Sequence, residues 1–462
     1  MQINKGKLIH IVGIGGIGMS GIAEILNDLG YLVQGSDISI NTNITRLKKK
    51  KIKVFIGHKK ENIQDAELVV YSSAIKKSNS ELKESKTRNI PIISRAEALS
   101  QIANLKKTIA ISGSHGKTTT TSLIATVLNS ANYNPTVING GIINQFGTNT
   151  KLGNGEWMVI EADESDGTFV KLPSTISVVT NIDHEHLDYY KSFSNLKSHF
   201  KNFLTQVPFY GFAVVCIDDE VTRKLVNSVT STKLIKYGFH KSSDVRASNI
   251  YYLKDKVRFD VFFKKTKKLI RDISLPLFGD YNIRNSLAAI AICSNLNVPD
   301  KIIKQSLSKY KGVERRLTKL WSSKKITIID DYAHHPTEIE NVLRGLKKSY
   351  KKTKMVCIFQ PHRFSRMVNL KTQFTKCFKS ANHVFVSDVY RAGEKKPKNF
   401  KMSSFTKRLS ENSKVKVSHY SSNNDLLNLI DYKYHILFVF LGAGTVTSWA
   451  KQFSETLKKI DE

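Results

Sequence analysis

The chain has 462 residues, which is enough for about two to four domains with substantial cores. Hydrophobic residues make up 40% of it, and its 23 Phe and 17 Tyr are typical of a folded protein and exclude a disordered one. The formal net charge of +33 suggests a nucleic-acid-binding protein. The lysines, however, lie in short scattered clusters without aromatic residues between them. We therefore interpret them as solvated surface and expect no nucleic-acid partner.

The four cysteines, Cys216, Cys293, Cys357 and Cys377, are far apart and form no C-x-x-C pair. This spacing argues against a metal framework and fits a reducing compartment. The N-terminus has no signal-peptide pattern, and no apolar run approaches the roughly 18 residues that a membrane span needs. The sequence therefore predicts a cytoplasmic protein without a membrane partner.

The first predicted elements are a strand at residues 8–12 and an amphipathic helix that ends near Gly30. Between them Gly13, Gly15 and Gly18 form a G-x-G-x-x-G loop, and Asp37 ends the next predicted strand. Alone, this pattern predicts a dinucleotide-binding domain, in which the acid binds a ribose hydroxyl, and it suggests a dehydrogenase. Such a loop accepts any diphosphate, including that of a UDP-sugar.

A further strand at residues 69–71 ends in Ser72 and Ser73. Small polar residues at the carboxyl end of a strand are expected near the ligand. A helix at 96–103 and a hinge near residues 105–106 close this first predicted domain.

The stretch KTIAISGSHGKTTTTSL (107–123) predicts a strand, a glycine loop and a helix. Gly113 and Gly116 allow a close backbone approach, Lys117 can reach β- and γ-phosphates, and the Thr118 hydroxyl can bind Mg²⁺. Position 111 is Ile where the usual phosphate loop has glycine, so the loop is a shortened G-x-x-G-K-T. The alternative is an ordinary Gly/Ser turn before a lysine. Two phosphate loops about a hundred residues apart predict two ligands and favour an ATP-driven reaction on a nucleotide-carrying substrate.

Two apolar strands then deliver acidic loops, EADESD (161–166) and NIDHEHLD (181–188). Carboxylates and a histidine at neighbouring strand ends suit Mg²⁺ that bridges ATP phosphates. Glu161 and His186 are the candidate ligands, with solvated loops as the alternative. For the other acids of these loops we expect a solvated state.

Alternating apolar and charged residues at 210–275 predict several strands. Asn282 and Asn285 precede a predicted helix at 286–294. We expect them to cap that helix, with contact to a base as the alternative. Arg315 and Arg316 follow, and the guanidinium groups of such residues suit phosphate.

The last third alternates strands and helices, which predicts another parallel, doubly wound sheet. A strand at 326–331 ends in Asp330 and Asp331, and one at 355–359 leads into QPHRFSR (360–366). Functional groups are expected at these carboxyl ends. His362, Arg363 and Arg366 form a cationic cluster suited to a carboxylate or phosphate, and a solvated basic loop is the alternative.

Taken in order, GIGGIGMSGIA, SGSHGKTTTT, EADESD, TNIxxxHxD, GxxNxxN, DDYAHHPTE, QPHRFSR and a closing GAG closely resemble the Mur ligases. The resemblance covers nearly the whole chain, from Ile9 to about Trp449. One departure is Ser112-Gly113-Ser114-His115 where the family commonly has Ala-Gly-Thr-His, and the hydroxyl is kept.

The resemblance implies an α/β fold of three domains: a Rossmann-like UDP-sugar-binding domain (1–105), a central P-loop-type ATPase domain with a mostly parallel sheet (106–316), and a Rossmann-like C-terminal domain (317–462). It implies that ATP phosphorylates the lactyl carboxylate of UDP-N-acetylmuramate and that the amine of L-alanine attacks the acyl phosphate. Lys, Arg and Mg²⁺ are then needed around the converging negative charges.

The resemblance also implies roles for individual residues. The ATP-phosphate loop comprises Gly113, Ser114, His115, Gly116, Lys117, Thr118 and Thr119. By this resemblance, the Mg²⁺ ligands are Thr118, Glu161 and His186. The asparagines of the adenine site are Asn282 and Asn285. Arg316 and Asp331 resemble residues that meet ATP from the C-terminal domain. The set around the alanine and the product carboxylate is Tyr332, His362, Arg363 and Arg366. The UDP-sugar set is Gly13, Gly15, Gly18, Asp37, Ser72 and Ser73.

Three alternatives stay open at this point. A ligase that attaches a tripeptide to recycled muramate shares almost all of these motifs. A dehydrogenase with NAD on the first loop would leave the second loop and the acidic loops unexplained. A basic nucleic-acid-binding ATPase would need charge clustered on one face.

Overall fold

The computed structural model describes residues 6–72, 74–430 and 434–461, so the predicted site residue Ser73 lies outside the described residues. The described residues form three β-sheets that follow one another along the chain. By their contacts they divide into two compact units. The first holds the residues up to Ala247, Val261–Ile270 and Arg284–Leu307, and the second holds Ser248–Asp260, Arg271–Ile283 and the residues from Ser308 on.

The first sheet has five strands in the order β3-β2-β1-β4-β5, and all its neighbours are parallel. Its strands are β1 Leu8–Val12, β2 Leu32–Asp37, β3 Lys53–Ile56, β4 Leu68–Tyr71 and β5 Ile92–Ser94. Its helices are α1 Ile17–Asp28, α2 Thr42–Lys49, α3 Ser80–Thr87 and α4 Arg95–Ala103. This order, with the glycine loop after the central strand, is the Rossmann-like arrangement that the sequence predicts.

The second sheet has ten strands in the order β15-β14-β13-β12-β11-β10-β6-β9-β7-β8. They are β6 Lys107–Ser112, β7 Thr136–Ile143, β8 Thr148–Lys151, β9 Trp157–Glu161, β10 Ile176–Val179, β11 Phe212–Cys216, β12 Leu234–Gly238, β13 Val245–Tyr252, β14 Val257–Phe263 and β15 Leu269–Leu275. The accompanying helices are α5 Lys117–Ser130, α6 Leu187–Tyr190, α7 Phe193–Thr205, α8 Glu220–Leu225, α9 Asp280–Asn295 and α10 Asp300–Ser308. Strand β6 lies between β9 and β10 and is parallel to both, so the phosphate loop and both acidic loops emerge at one edge of the sheet.

The third sheet has six strands in the order β16-β17-β21-β18-β19-β20. They are β16 Thr318–Ser322, β17 Ile326–Asp331, β18 Lys354–Phe359, β19 His383–Val386, β20 Lys416–His419 and β21 Ile436–Leu441, with only β16 antiparallel to its neighbour. Its helices are α11 Pro336–Ser349, α12 Phe364–Asn369, α13 Lys371–Phe374, α14 Met402–Ser413, α15 Asn424–Leu427 and α16 Val446–Asp461. Residues of β21 alternate between two apolar clusters, one on each face of the sheet, as expected for a doubly wound sheet.

The predicted fold class is therefore confirmed: the protein is α/β, with three mostly parallel sheets. The sheets fall within the three predicted ranges, whose boundaries stay a prediction. Among the helices of the described residues, none combines the length and apolar character that a bilayer crossing requires.

All four cysteines are buried and unpaired. Burial raises the pKa of each thiol, and for Cys216 to about 12, where Asp218 acts in the same direction. The sequence expectation of separate, reduced cysteines fits this arrangement.

Helix α1 packs closely against the β7–β8 hairpin. Its residues share one apolar cluster with Ile138 of β7. A Cβ atom on Gly21 would lie 2.3 Å from Cγ2 of Thr150, so the approach requires glycine. Thr150 also donates to the buried Glu24 of α1. Arg46 donates both to Glu24 and, at 2.7 Å from its Nη2, to Asn149 Oδ1. This contact fixes the helix that follows the first glycine loop against the second sheet.

A buried polar network lies inside the first sheet domain. The Glu81 carboxylate accepts hydrogen bonds from Ser36 and Asn62 at 2.5 and 2.6 Å. Its Oε2 also lies 3.2 Å from His58 Nδ1 and 3.6 Å from His10 Nε2. Burial alone would raise the pKa of Glu81, but the nearby His10 and the hydrogen bonds from Ser36 and Asn62 hold it below its ordinary value. Glu81, which lies on α3, is therefore an ionised acid in the core.

We expect Gly21→Ala to lower the apparent melting temperature, because overpacking typically costs about 1–3 kcal/mol. The double variant Gly21→Ala/Thr150→Ser removes the opposing methyl group, keeps the hydroxyl, and should recover most of the loss. Thermal unfolding of both variants and of Thr150→Ser alone measures this. A double variant no more stable than Gly21→Ala would contradict the packing argument.

We expect Glu81→Gln to destabilise the protein at pH 7 by about 1–3 kcal/mol, since buried donors lose a charged acceptor. A depressed carboxyl pKa contributes stability above the unfolded pKa, and this contribution is lost as pH falls through the folded value. The difference from wild type should therefore shrink below about pH 4.5. Thermal melts across pH 3–7 test this, with Glu84→Gln on the same helix as the control. A difference that is constant with pH would contradict it.

Candidate active site

The second glycine loop connects β6 to α5 as predicted. Gly113 and Gly116 have φ of 132° and 85°, values that favour glycine. A Cβ on Gly113 would lie 2.2 Å from Thr180 Oγ1, and one on Gly116 would lie 2.6 Å from Asn285 Oδ1. The loop therefore needs glycine at both positions for backbone shape and for space, and it ends at a helix N-terminus, where amides favour an anion.

Lys117 is the first residue of α5, and its side chain folds back under the loop. Its Nζ donates to the carbonyl oxygens of Gly113 and Ser114 and, at 2.9 Å, to Glu164 Oε1. Burial alone would lower the pKa of Lys117, but nearby carboxylates, that of Glu164 above all, raise it above its ordinary value. A permanent cation therefore lies directly beneath the loop.

Glu164 is 1% exposed, so the expectation that it lies in a solvated loop is wrong. Burial raises its pKa to about 7, and the Lys117 ammonium opposes that shift. Its Oε2 is buried and has no hydrogen-bond partner among the described residues. The EADESD loop turns inward here because the Tyr190 hydroxyl donates to the Glu164 carbonyl.

The loop after β10 is fastened to the phosphate loop. The Asn181 side chain accepts from the His115 amide at 2.9 Å and donates to the His115 carbonyl. The Asp183 amide donates to Ser114 Oγ at 2.8 Å, and Asp183 Oδ2 lies 3.0 Å from His115 Nε2. The polar residues of the two loops thus define each other's conformation.

Two groups of candidate cation ligands lie beside this loop. Thr118 Oγ1 donates to Glu161 Oε1 at 3.1 Å, and the Gly140 amide donates to Glu161 Oε2. His186 lies with Glu164 and Glu185, and one ligand atom from each lies within 4.8 Å of the others. Burial lowers the pKa of His186, which favours the neutral imidazole that binds metals. Hydroxyl, carboxylate and imidazole groups, with the unpartnered Glu164 Oε2, fit a divalent cation.

The two asparagines do not cap a helix as expected, because α9 begins at Asp280 and includes both of them. Asn282 is buried and donates to the Phe278 carbonyl at 2.9 Å. The side chain of Asn285 lies over Gly116 of the phosphate loop. The alternative, that they serve the ligand site, stays open for both.

The first glycine loop is held by Asp37. Its Oδ2 accepts from the Gly15 amide at 2.8 Å, and its Oδ1 accepts from the Ile38 amide at 2.7 Å. Gly13 has φ of 81°, and a Cβ there would approach Ser72 Cβ to 3.1 Å. Gly15, Gly18, Asp37 and Ser72 therefore gather around the β1–α1 turn, as the sequence predicts for a diphosphate site.

In the second compact unit Asp331 is buried at the end of β17. Both of its oxygens accept backbone hydrogen bonds, from Leu317 at 2.7 Å and from Ala333 at 2.8 Å. Burial raises its pKa to about 6, and Arg316 opposes that shift. Leu317 has φ of 49°, so Asp331 holds a strained turn directly after Arg316.

An aromatic and basic cluster lies at the carboxyl end of the third sheet. The Tyr332 ring lies 5.1 Å from the His334 ring, which lies 5.8 Å from the His362 ring. The Arg366 guanidinium is 3.3 Å from His362 Nδ1. Burial, and then Arg366 and Arg363, lower the pKa of His362 to about 4, so it is neutral at pH 7. The structure thus brings Tyr332, His362 and Arg366 together, as predicted.

Arg363 has φ of 65°, and its backbone amide donates to the Tyr390 carbonyl. The Tyr390 ring stacks on the His362 ring, with 5.5 Å between the ring centroids. Arg315 donates to the Gly442 and Gly444 carbonyls and, like Arg316, lies over the Tyr332 ring. The closing GAG motif therefore belongs to this cluster.

Sequence reasoning missed several participants: Glu164, Glu185, Asn181, Asp183, His334 and Tyr390. Apart from Tyr390, which follows β19, each lies within a few residues of a position that was selected, so the density of polar residues after a strand was the available signal. It does not tell which acid turns inward, because that depends on contacts such as the one between Tyr190 and Glu164.

Comparison with known families gives three matches in chain order. Residues 8–107 match "Mur ligase family, catalytic domain", residues 111–293 match "Mur ligase middle domain", and residues 315–444 match "Mur ligase, glutamate ligase domain".

Among curated proteins, the chain is similar to proteins named UDP-N-acetylmuramate–L-alanine ligase. That of Paramagnetospirillum magneticum is 47% identical, over 100% of this chain and 98% of the relative. That of Bartonella bacilliformis is 45% identical, over 98% and 97% of the two chains.

Among solved structures, UDP-N-acetylmuramate-alanine ligase from Thermotoga maritima matches with a TM-score of 0.82 and 28% identity, over 98% of this chain and 99% of the other. A murein peptide ligase from Psychrobacter arcticus matches with a TM-score of 0.70 and 24% identity over the same shares.

We expect Gly116→Ala to weaken nucleotide binding by about tenfold or more, because a positive φ costs about 1 kcal/mol and the Asn285 contact adds to it. Gly147→Ala is the matched control: Gly147 has φ of 67°, and none of the described atoms lies within 4 Å of a Cβ there. Titration with a non-hydrolysable ATP analogue compares the two. Equal binding by both variants would show that the crowding at Gly116 is unimportant.

Proposed function

The chain belongs to the Mur ligase family, and on that premise we propose that it joins L-alanine to the lactyl carboxylate of UDP-N-acetylmuramate with hydrolysis of ATP. The observation that carries the proposal is the 44–47% identity, over nearly the full length, to proteins of that name. The phosphate loop over the largely enclosed Lys117 supports the ATP-dependent part. Because ATP and UDP-N-acetylmuramate are nucleotides of the cell interior, we also propose a cytoplasmic location.

The chemistry explains why ATP is needed. A carboxylate is a poor acyl donor at neutral pH, so a carboxylate oxygen first attacks the γ-phosphorus and ADP leaves. The uncharged amine of L-alanine then attacks the acyl carbon, the C–O bond to phosphate breaks, and phosphate leaves as the amine nitrogen loses a proton. The products are the amide, ADP and phosphate, and each step brings negative groups together.

We assign charge neutralisation at the γ-phosphate to Lys117, with the loop Gly113, Ser114, His115, Gly116, Thr118 and Thr119 around the phosphates. The lysine is held beneath the loop by two carbonyls and Glu164, so its charge is positioned beside the proposed phosphate site.

We place Mg²⁺ on Thr118, Glu161 and His186, and add Glu164 as a further candidate because of its unpartnered buried oxygen. A bound Mg²⁺ would neutralise β- and γ-phosphate charge.

The remaining predicted roles are also proposals. Gly13, Gly15, Gly18, Asp37 and Ser72 would bind the UDP end of the sugar nucleotide. Asn282 and Asn285 would serve the adenine site, and Arg316 and Asp331 the ATP. Asp331 would act through Arg316, because both of its oxygens are taken by backbone amides. Tyr332, His362, Arg363 and Arg366 would surround the alanine and product carboxylates, where a neutral His362 leaves the arginines as the cations.

The alternatives have less support. The likeness to a murein peptide ligase, at 24% identity, concerns the fold. A dehydrogenase would have no use for the second loop with its paired lysine.

The decisive assay measures phosphate release from ATP and Mg²⁺ with UDP-N-acetylmuramate, with and without L-alanine. We expect release to require both substrates and to yield a new amide that mass spectrometry detects. Lys117→Ala should lower the rate by about a hundredfold or more, whereas Lys107→Ala, whose ammonium pairs with Glu156 on the surface, should not change it.

Release that ignores L-alanine, or that requires a free tripeptide, would overturn the proposed substrate. Equal activity of Lys117→Ala and wild type would overturn the role of the second loop.

A further inference from the structure

The YRAGE loop (390–394), which follows β19, runs beside the QPHRFSR loop. His362 and Tyr390 form an isolated parallel bridge between the two loops. The Tyr390 amide donates to the Pro361 carbonyl at 2.8 Å, and the Arg363 amide donates to the Tyr390 carbonyl at 2.9 Å. Because the Tyr390 ring also stacks on the His362 ring, the YRAGE loop defines where His362 lies.

The YRAGE loop then turns back toward α12. The Glu394 amide donates to the Arg391 carbonyl at 3.0 Å, and the two residues between them, Ala392 and Gly393, have φ of 48° and 84°. Positive φ at both central positions is the feature of a type I′ turn, and it is unfavourable for alanine. Such a conformation persists where the surrounding structure requires it, and this turn brings the Glu394 side chain to α12.

Glu394 contacts the first turn of α12 through both carboxylate oxygens. Its Oε2 accepts from the Ser365 amide at 3.0 Å, and its Oε1 accepts from the Ser365 hydroxyl at 2.6 Å. The residue before the helix, Arg363, provides no side-chain cap. Glu394, 29 residues further along the chain, therefore does for α12 what an N-cap side chain does for other helices.

The charge of Glu394 fits this task. Burial alone would raise its pKa, but the hydrogen bonds from Ser365 and the charge of Arg363 hold the pKa below its ordinary value. Glu394 is therefore ionised at pH 7. It also acts on the pKa of His362 in the direction opposite to Arg363 and Arg366, so a carboxylate lies within the basic cluster.

We propose, resting on the function proposed above, that Glu394 is a positioning residue for the amino-acid site: it holds α12 so that Arg366 and His362 can contact the alanine and product carboxylates. Helix α12 has six residues, too few for a helix to be stable without outside contacts. Arg366 directly follows Ser365, and its guanidinium lies 3.3 Å from His362 Nδ1. The direction of the first turn therefore sets the distance between these two groups.

The experiment is steady-state phosphate release with L-alanine, ATP and UDP-N-acetylmuramate each varied in turn, for wild type, Glu394→Ala and Glu394→Gln. We expect Glu394→Ala to raise the KM for L-alanine by about tenfold, the typical effect of losing a helix cap. The KM for ATP and kcat at saturating L-alanine should change by less than about twofold. Glu455→Ala, which removes an exposed carboxylate on α16, is the matched control and should behave as wild type.

Glu394→Gln separates positioning from direct contact with the substrate. A glutamine can accept from the Ser365 amide through its oxygen and donate to the Ser365 hydroxyl through its nitrogen, so we expect a KM for L-alanine within about threefold of wild type. A Gln variant as impaired as Glu394→Ala would overturn positioning and indicate that the carboxylate pairs with the ammonium group of the amino acid.

A double-mutant cycle with Ser365→Ala tests the contact itself. Because Ser365→Ala removes the hydroxyl and keeps the amide, we expect a rise in the KM for L-alanine of about threefold, and the double variant with Glu394→Ala should be no worse than Glu394→Ala alone. Effects that multiply would contradict the contact. If Glu394→Ala fails to fold in thermal melts, Ser365→Ala decides: a wild-type KM for L-alanine would overturn the proposal.

An unchanged KM for L-alanine in folded Glu394→Ala, or an equal loss for all three substrates, would overturn this inference alone and leave Glu394 as a structural residue. Wild-type protein that releases no phosphate in response to L-alanine would overturn the proposed function itself, and this inference with it.

Discussion

The arrangement around Lys117 sets the strictest condition on the structure. A largely enclosed ammonium is tolerated only when it is paired and hydrogen-bonded. The side chain of Lys117 is 15% exposed, and two carbonyls and Glu164 meet that need. Glu164 in turn requires the EADESD loop to turn inward, and Tyr190 holds that turn. The loops after β6, β9 and β10 therefore fold around one cation. A phosphate arriving there meets a charge already in place, and catalysis by charge neutralisation depends on such preorganisation.

The parallel sheets determine where these polar loops lie. Parallel strands end at the same edge, so β6, with β9 and β10 on either side, brings three polar loops together in one unit. The third sheet repeats the principle in the other unit, where loops after β17, β18 and β21 supply Asp331, His362 and the glycines that hold Arg315. In both places the apolar residues of the strands can be replaced by other apolar residues of similar volume. The polar residues after the strands cannot be replaced, because each is the hydrogen-bond or ion-pair partner of another.

The sequence predicted the parts that depend on local pattern. Apolar runs placed the strands, and glycine spacing placed both loops with Gly13, Gly113 and Gly116 at positive φ. What failed depended on distant contacts. The start of α9 was set six residues too late, because Asn282 pairs with Phe278 inside the first turn and does not cap it. The burial of Glu164 and Glu81 depends on partners that are distant in sequence and that no periodicity reveals.

The four cysteines have a practical meaning that goes beyond the reducing compartment they indicate. Thiol reagents attack the thiolate, and every thiol here is buried with a raised pKa. The folded chain is therefore an unreactive background for maleimide chemistry. A cysteine placed at one exposed residue in each compact unit would take up a pair of fluorophores site-specifically, so the distance between the units could be followed in solution without first removing any native residue.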